Sequence, residues 1–527
     1  MVDEVALTAR LRRRLGSLWQ PLFGRFGRLT PIQLALMPAL LSGRDALACA
    51  PTASGKTEAA VAPVALRLRE GRAGGIRALW VVPTRALVND LDQRLRGPLR
   101  DAGLTLGVRT GDRREVRAGR LEDLVVTTPE SLDSMICRIP DAWGGLQACV
   151  LDEVHLLDGT PRGDQLRVLL QRLRVAASGG FQSVALSATL HDPGAVAARY
   201  LGGDAAVIQV GGARTLTQTV VGSLEEAVAT LRAEERHKAL IFGNTRREVE
   251  EAAVALRAWW PGDRIAVHHG SLARKERESV EAAMRSWRWG LLVATTTLEL
   301  GVDIGDLDAV VLLRPPSSPS SYQQRIGRAN RREAVIRVIG VATTEAEGEV
   351  FASLADLARD GVVEARGDAP DPSVLVQQTL SIAYQRRAGV PSAELSALLA
   401  PIDPGGLLPS VLAWLADEGW LRRVADRYAP TDRTMDLGER GTLHSNIPDS
   451  RELTLVDTTT GRPLGQLTTG ATPGSRLLFS GRGWLVLSVS GTTATVAPIP
   501  REQAVAWFGA RSEVGAFRWL LPPELRQ

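Results

Sequence analysis

The chain has 527 residues, 44% hydrophobic and 23% charged, with a formal net charge of +4, a composition that suits several globular domains rather than a disordered or fibrous chain. No run of eighteen apolar residues occurs, and the start, MVDEVALTARLRRRLG, lacks an apolar stretch. Neither a membrane span nor a secretory leader is therefore expected, and a cytoplasmic setting is. All but three of the 63 basic residues are arginine; the lysines are Lys56, Lys238 and Lys275. Cys49, Cys137 and Cys149 stand far apart among apolar neighbours and are expected as buried free thiols.

In chain order, residues 1 to about 208 alternate apolar strand-like runs with helical stretches: ALAC (46–49), ALWVVP (78–83), LVVTTP (124–129), ACVLDE (148–153) and SVALSAT (183–189). This predicts a parallel sheet covered on both faces. A polar join near 211–219 leads to a second set: ALIFGN (239–244), IAVHHG (265–270), GLLVATT (290–296), AVVLLR (309–314) and RVIGVATT (337–344). A Pro/Asp-rich break at 367–373 ends it, and a helical stretch from 374 to about 435 follows, with a strand pair in LRRVADRYAPT. The remainder is rich in Gly, Thr and Val in short alternating runs, which predicts a small all-β module.

Three segments carry chemistry. Ala50–Thr57 fits a phosphate loop with Ala in place of the first Gly. Gly55 lets the backbone turn its N–H groups to a polyphosphate, the following helix points its positive end there, Lys56 reaches the outer phosphates and Thr57 can hold Mg²⁺. CVLDEVHLL ends a strand on Asp152 and Glu153, an acid to hold Mg²⁺ and a base to take the proton of an attacking water. In SYQQRIGRANRR, Arg325, Arg328 and Arg331 recur every three residues, a spacing that can aim guanidinium groups at a departing phosphate. By itself each pattern also has a plain reading as a capped strand or a solvated basic face.

Taken together and in order, these segments resemble helicase superfamily 2. Gln33 in RLTPIQ resembles the adenine-reading Q motif, 50–57 motif I, 82–91 motif Ia, 126–132 motif Ib, 152–155 motif II and 187–189 motif III; 242–250 resembles motif IV, 294–308 motif V and 324–331 motif VI. Within the superfamily the chain is most similar to the Lhr (large helicase-related) group, in HHGSLAR, LELGVDIGD, RGDQL and DPSVLVQQTLS. The implied fold is α/β: a first RecA-like domain over 1–208, a second over 209–369, a winged helix over 370–435 and a β-rich domain over 436–527. Only twenty residues separate Asp303 from Gln324, which leaves little room for a strand-splitting hairpin.

The resemblance implies an ATP-dependent 3′ to 5′ helicase or translocase on single strands or tailed duplexes, DNA favoured, monomeric, and serving DNA repair or genome defence. An RNA or hybrid helicase, and an ATP-gated clamp within a larger assembly, are the alternatives. ATP and Mg²⁺ are expected between the RecA-like domains. The ATP set is Phe26, Gln33, Thr52, Ala53, Ser54, Gly55, Lys56, Thr57, Gly301, Asp303, Arg325, Arg328 and Arg331. Asp152, Glu153, Lys56, Gln324, Arg328 and Arg331 carry catalysis, and Thr57 with Asp152 the metal. Nucleic acid falls to Thr84, Arg85, Thr128, Asn244, Thr245, Arg246, His269, Gly270, Thr295 and Thr296, and coupling to His155, Ser187, Ala188 and Thr189. The neighbours His268 and His269 lack ligand spacing, so zinc is not expected. Trp287 and Trp289, flanking Arg288, could stack on bases but suit packing as well.

Overall fold

The computed structural model describes residues 2–526 except 25, 52–53, 72–73, 118, 212–214, 300–303, 330–334, 365–368, 448–451, 469–472, 480–481, 501–504 and 507–514. The chain forms two compact units that cut across its linear order. Residues 1–211, 365–448 and 513–527 make the first; 212–364 and 449–512 make the second.

The first unit is built on seven strands: Ala46–Cys49 (β1), Ala78–Val81 (β2), Leu106–Arg109 (β3), Leu124–Thr127 (β4), Ala148–Leu151 (β5), Gln182–Ser187 (β6) and Ala206–Gln209 (β7). They lie in the order β3-β4-β2-β5-β6-β1-β7 and every pairing is parallel. Alternate residues face opposite sides: Ala48, Trp80 and Val150 meet Leu36, Val61 and Leu68 on one face, whereas Cys49, Leu79 and Val81 meet Leu132, Leu166 and Leu169 on the other. Two apolar faces require helices on both, the doubly wound arrangement in which ligands gather at the carboxyl ends of the strands.

The second unit repeats the plan with Thr215–Val221 (β8), Lys238–Phe242 (β9), Ile265–His268 (β10), Gly290–Ala294 (β11), Ala309–Leu312 (β12) and Val335–Val341 (β13), ordered β10-β11-β9-β12-β13-β8. The segment read as a polar join contributes β8, paired with β13 along its whole length. Its Thr-rich alternation is that of an edge strand with one neighbour and one half-wet face, which lacks the apolar run that marks the inner strands.

The C-terminal part divides between the units. Helices Pro372–Gln385, Ser392–Leu399 and Leu408–Asp417, with the hairpin Leu421–Val424/Arg427–Pro430, follow the element order of a winged helix. They share a core with Val168 of the first unit's RecA-like part, and Phe517, Leu520 and Leu521 close the same core. Helix Asp432–Arg440 runs across the expected boundary at 435, with Thr434 buried. The β-rich part, from Glu452–Asp457 to Val505–Ala506, belongs to the second unit. There the Leu464 carbonyl accepts the Ala273 N–H at 2.8 Å. Gly465 lies so close that a Cβ would stand 1.9 Å from the Ser271 carbonyl oxygen, so only glycine permits this approach.

One fully buried carboxylate ties the winged-helix part to the RecA-like part of the first unit. Asp133 accepts from Arg172 Nη1 at 2.9 Å, Gln165 Nε2 at 3.2 Å, and Gln377 and Gln378 Nε2 at 3.0 Å each. The Ser381 hydroxyl also donates to it. Burial alone would raise this carboxyl; His444, the Arg172 guanidinium and Ser381 outweigh it, and the group is held below the usual carboxylate range. Asp133, Cys137 and His444 are close enough to share an ion. Arg172, bonded to both Asp133 and the Cys137 sulfur, already stands there as the cation.

Candidate ATP and nucleic-acid site

Neighbouring strands β1, β6 and β5 of the first unit deliver the phosphate loop, motif III and motif II to one edge of the sheet. Gly55 has φ +91° and ends the loop at the start of helix Lys56–Glu70. Its carbonyl accepts from Gln33 Nε2 at 3.3 Å. Gln33 is itself locked by a capping box with Thr30 at the start of helix Pro31–Leu41. The Q motif is thus clamped onto the phosphate loop. Lys56 is buried, its ammonium donating to the carbonyls of Ala50 at 2.6 Å and Pro51 at 3.0 Å. Thr57 is half-buried beside it in the helix's first turn, and so is Ser54 in the loop. Phe26 is 43% exposed. Thr52 and Ala53 lie outside the described residues.

Motif II shows the features expected of a catalytic acid pair. Asp152 accepts from Trp80 Nε1 at 3.1 Å and from the Glu153 N–H at 3.0 Å. Burial first, and the Glu153 charge second, push its carboxyl up to about 7. A divalent cation at Asp152 would relieve that cost, so the residue suits Mg²⁺ with Thr57 as its companion. Glu153 adopts a left-handed conformation, φ 49° and ψ 44°, which is rare for a side chain with a Cβ and clusters at functional sites. Its Oε2 is buried and has no hydrogen-bond partner among the described residues; His155 Nδ1 lies 3.5 Å away. A buried acceptor without a donor is costly unless something else serves it, and an attacking water would.

His155 connects this pair to motif III. Its Nδ1 lies 3.3 Å from Ser187 Oγ and accepts the Ala188 N–H at 3.3 Å. Thr189 follows in the same loop, half-buried. Three of the four coupling residues therefore meet directly.

The expected nucleic-acid residues of the first unit stand at the ends of the adjacent strands β2 and β4. Thr84 accepts the Leu87 N–H at 3.3 Å and caps helix Arg85–Asp101, while Arg85 is exposed, 3.6 Å from Asp112. Thr128 is buried, its hydroxyl 3.3 Å from Ser131 Oγ. In the second unit, Asn244, Thr245, Arg246, Thr295 and Thr296 gather at the ends of the neighbours β9 and β11. Thr245 forms a capping box with Glu248, and Asn244 and Thr296 are exposed.

The structure corrects one contact. His269 is fully buried, with Nε2 2.8 Å from Glu250 and its ring 5.5 Å from Phe479 of the β-rich part. It holds that part in place rather than facing a phosphate; Gly270 beside it is half-buried. Arg325 is likewise committed within the second unit. Its Nε donates to Glu299 at 2.6 Å and its Nη1 to Asn244 at 2.7 Å, joining motifs IV, V and VI. Arg328 is buried and donates to the Glu299 carbonyl, and Gln324 is buried beside it in the chain. Gly301, Asp303 and Arg331 lie outside the described residues. Trp80, Glu250 and Glu299 escaped the sequence reading, because each acts through a partner distant in the chain and none has a spacing signal of its own.

With this geometry in view, the comparisons are specific. Residues 30–196 match the DEAD/DEAH box helicase family and 221–333 the helicase conserved C-terminal domain. ATP-dependent helicase Lhr-Core of Methanocaldococcus jannaschii is 31% identical over 348 residues, 58% of this chain and 41% of that protein. The Lhr helicase/probable uracil glycosylase of Mycolicibacterium smegmatis is 27% identical across 93% of this chain and 38% of its own length. Among solved structures, Mycobacterium smegmatis helicase Lhr bound to ssDNA and AMP-PNP has a TM-score of 0.72 at 27% identity, covering 83% of this chain and 63% of that one. The DUF1998 helicase MrfA bound to DNA has a TM-score of 0.75 at 21% identity over 92% and 73%, a likeness of fold. The fold and the motif set together define a superfamily 2 helicase core. Within that superfamily the chain is similar to helicases of the Lhr group. It spans about 40% of the length of the curated relatives it matches, 41% and 38% for the two named here.

Proposed function

We propose that this chain is an ATP-driven motor that travels 3′ to 5′ on single-stranded DNA and opens tailed duplexes as a monomer. The observation that carries the reading is Glu153: a buried carboxylate oxygen without a donor among the described residues, on a left-handed residue next to Asp152. A clamp that only binds ATP has no use for such a base. Lys56 and the N-terminus of its helix hold the triphosphate, and Thr57 with Asp152 holds Mg²⁺, which when bound neutralises phosphate charge. Glu153 takes the proton of the attacking water. His155 passes the change at motif II to Ser187 and Ala188, the start of coupling to the strand. Arg328 and Arg331 are assigned to the departing phosphate by resemblance alone.

DNA is favoured because the similar Lhr of M. smegmatis is described as bound to ssDNA, although the hydroxyl and amide contacts proposed here read backbone rather than sugar. The test is unwinding and strand-stimulated ATPase on matched DNA, RNA and hybrid duplexes with a 3′ or a 5′ tail. Activity on the 3′-tailed DNA is expected. Preference for RNA or hybrid would move the substrate, 5′-tail preference would reverse the polarity, and no strand-stimulated hydrolysis would favour a clamp.

A further inference from the structure

The second unit carries an arginine–tryptophan ladder that none of the helicase motifs includes. The Arg264 guanidinium lies over two indoles, 5.5 Å from the Trp287 ring centroid and 5.0 Å from that of Trp289. Trp289 in turn sits 6.3 Å from Trp260 at a 53° tilt, and Arg232 covers the Trp260 ring at 5.6 Å. Five side chains from three separate segments thus form one chain of cation–ring and ring–ring contacts. Each contact is favourable, and together they fix the rings before any partner arrives.

The ladder is not sealed. Trp289 is 38% exposed, and Arg288 beside it is exposed, with no ion pair to a carboxylate among the described residues. Arg264 does face Asp263, at 3.6 Å. Trp260 is 7% exposed, yet its Nε1–H has no acceptor among the described residues. A rigid exposed ring and an exposed guanidinium beside it together fit a partner that is planar and anionic.

We propose that this ladder is a second contact for single-stranded nucleic acid. One base stacks on Trp289 and the adjoining phosphate pairs with Arg288. The proposal rests on the motor reading above but concerns a different place. Trp289 precedes β11, whereas Thr295 and Thr296 follow it. The two ends of that strand are separated by six residues, on the order of 20 Å at ~3.3 Å per residue. Trp260 and Arg264 precede β10, the outer strand of the sheet. An acidic peptide with aromatic side chains would satisfy part of the same chemistry.

The full chain, with Lys56 and Glu153 intact, is titrated with oligo-dT of about 6 and about 30 nucleotides, the shorter enough for the strand-top contacts alone and the longer able to occupy those contacts and the ladder together. Trp289→Ala should weaken the long oligomer by roughly fivefold to a hundredfold, the range of one lost base stack, and leave the short one unchanged. Trp289→Phe should restore most of the loss, because a ring suffices. Arg288→Ala should flatten the salt dependence for the long oligomer by ~0.7 in log–log slope, the share of one phosphate contact on a single strand. Equal losses on both lengths, or none on the long one, would overturn the ladder as a strand contact and leave it a structural brace. Displacement of a labelled acidic, aromatic peptide with no change in long-strand affinity would overturn it in favour of a protein partner. Failure of the wild-type chain to bind either oligomer would instead count against the motor reading itself.

Discussion

Gly55→Ala tests how the Q motif and the phosphate loop depend on each other. Gly55 sits at φ +91°, and an alanine held in the left-handed region costs about 1–2 kcal/mol. Its Cβ would stand 2.4 Å from Gln33 Nε2, 3.2 Å from Gln33 Cδ and 3.3 Å from Thr30 Oγ1. The amide must turn away and give up its bond to the Gly55 carbonyl, a further loss of about 0.5–1.5 kcal/mol. If the loop shifts to escape both costs, the ATP-competent form is penalised by about 2–3 kcal/mol, roughly a 30- to 150-fold loss of affinity. The assay is titration with a fluorescent ATP analogue, alongside thermal unfolding to confirm that the core is intact. A second background separates the two contributions. In Gln33→Ala the clashing amide is gone, so Gly55→Ala should cost only the conformational share, a coupling of about 1 kcal/mol between the two sites. Wild-type affinity in Gly55→Ala, or an equal penalty in both backgrounds, would refute the reasoning.

Glu153→Gln should keep ATP binding and lower turnover by about 10²- to 10⁴-fold, read by steady-state ATPase; a loss under tenfold would show that Glu153 is not the base. The Asp152 carboxyl is raised to about 7. Below that pH the folded protein holds a proton that the unfolded chain has already released, so stability falls as pH climbs from the ordinary carboxyl range toward 7. Urea midpoints from pH 5 to 8 should show this slope in the wild type and a flatter one in Asp152→Asn; equal slopes would contradict it. A 1–369 fragment retains Lys56, Glu153 and Arg328, and the motif order alone suggests basal ATPase without the rest. The buried position of Asp133 among Gln377, Gln378 and Ser381 predicts otherwise. The Arg172–Asp133 pair stays in the fragment, but the loss of three hydrogen bonds to a charged carboxylate, each about 1.5–3 kcal/mol, and the baring of the apolar surface around Val168 should cost several kcal/mol. The fragment should be poorly soluble or low-melting, and a well-folded 1–369 with wild-type melting would show the winged-helix part to be dispensable for stability.

The sequence by itself determined the class of the molecule and its candidate nucleotide-handling residues. The reason is local: a phosphate loop needs glycine, lysine and threonine within a few consecutive positions, and strands buried on both faces must be continuous apolar runs. ALAC, ALWV and GLLVA were therefore legible as strands, and Lys56, Asp152 and Glu153 as a site. Edge strand β8 was not legible, because half of its residues face water and its Thr-rich alternation resembles a connector. Tertiary structure decided how the chain is divided. Asp133, Arg172 and Gln378 are each unremarkable in sequence, and only folding brings them within hydrogen-bond reach, binding the winged-helix part and the last residues to the first unit. It also decided which motif histidine and arginines are free to act. The resemblance implies ligand contacts for His269 and Arg325, yet each meets a carboxylate elsewhere in the chain, Glu250 and Glu299. A charge that finds its counter-charge inside a low-dielectric core is committed there, and no linear pattern records which charge will meet which.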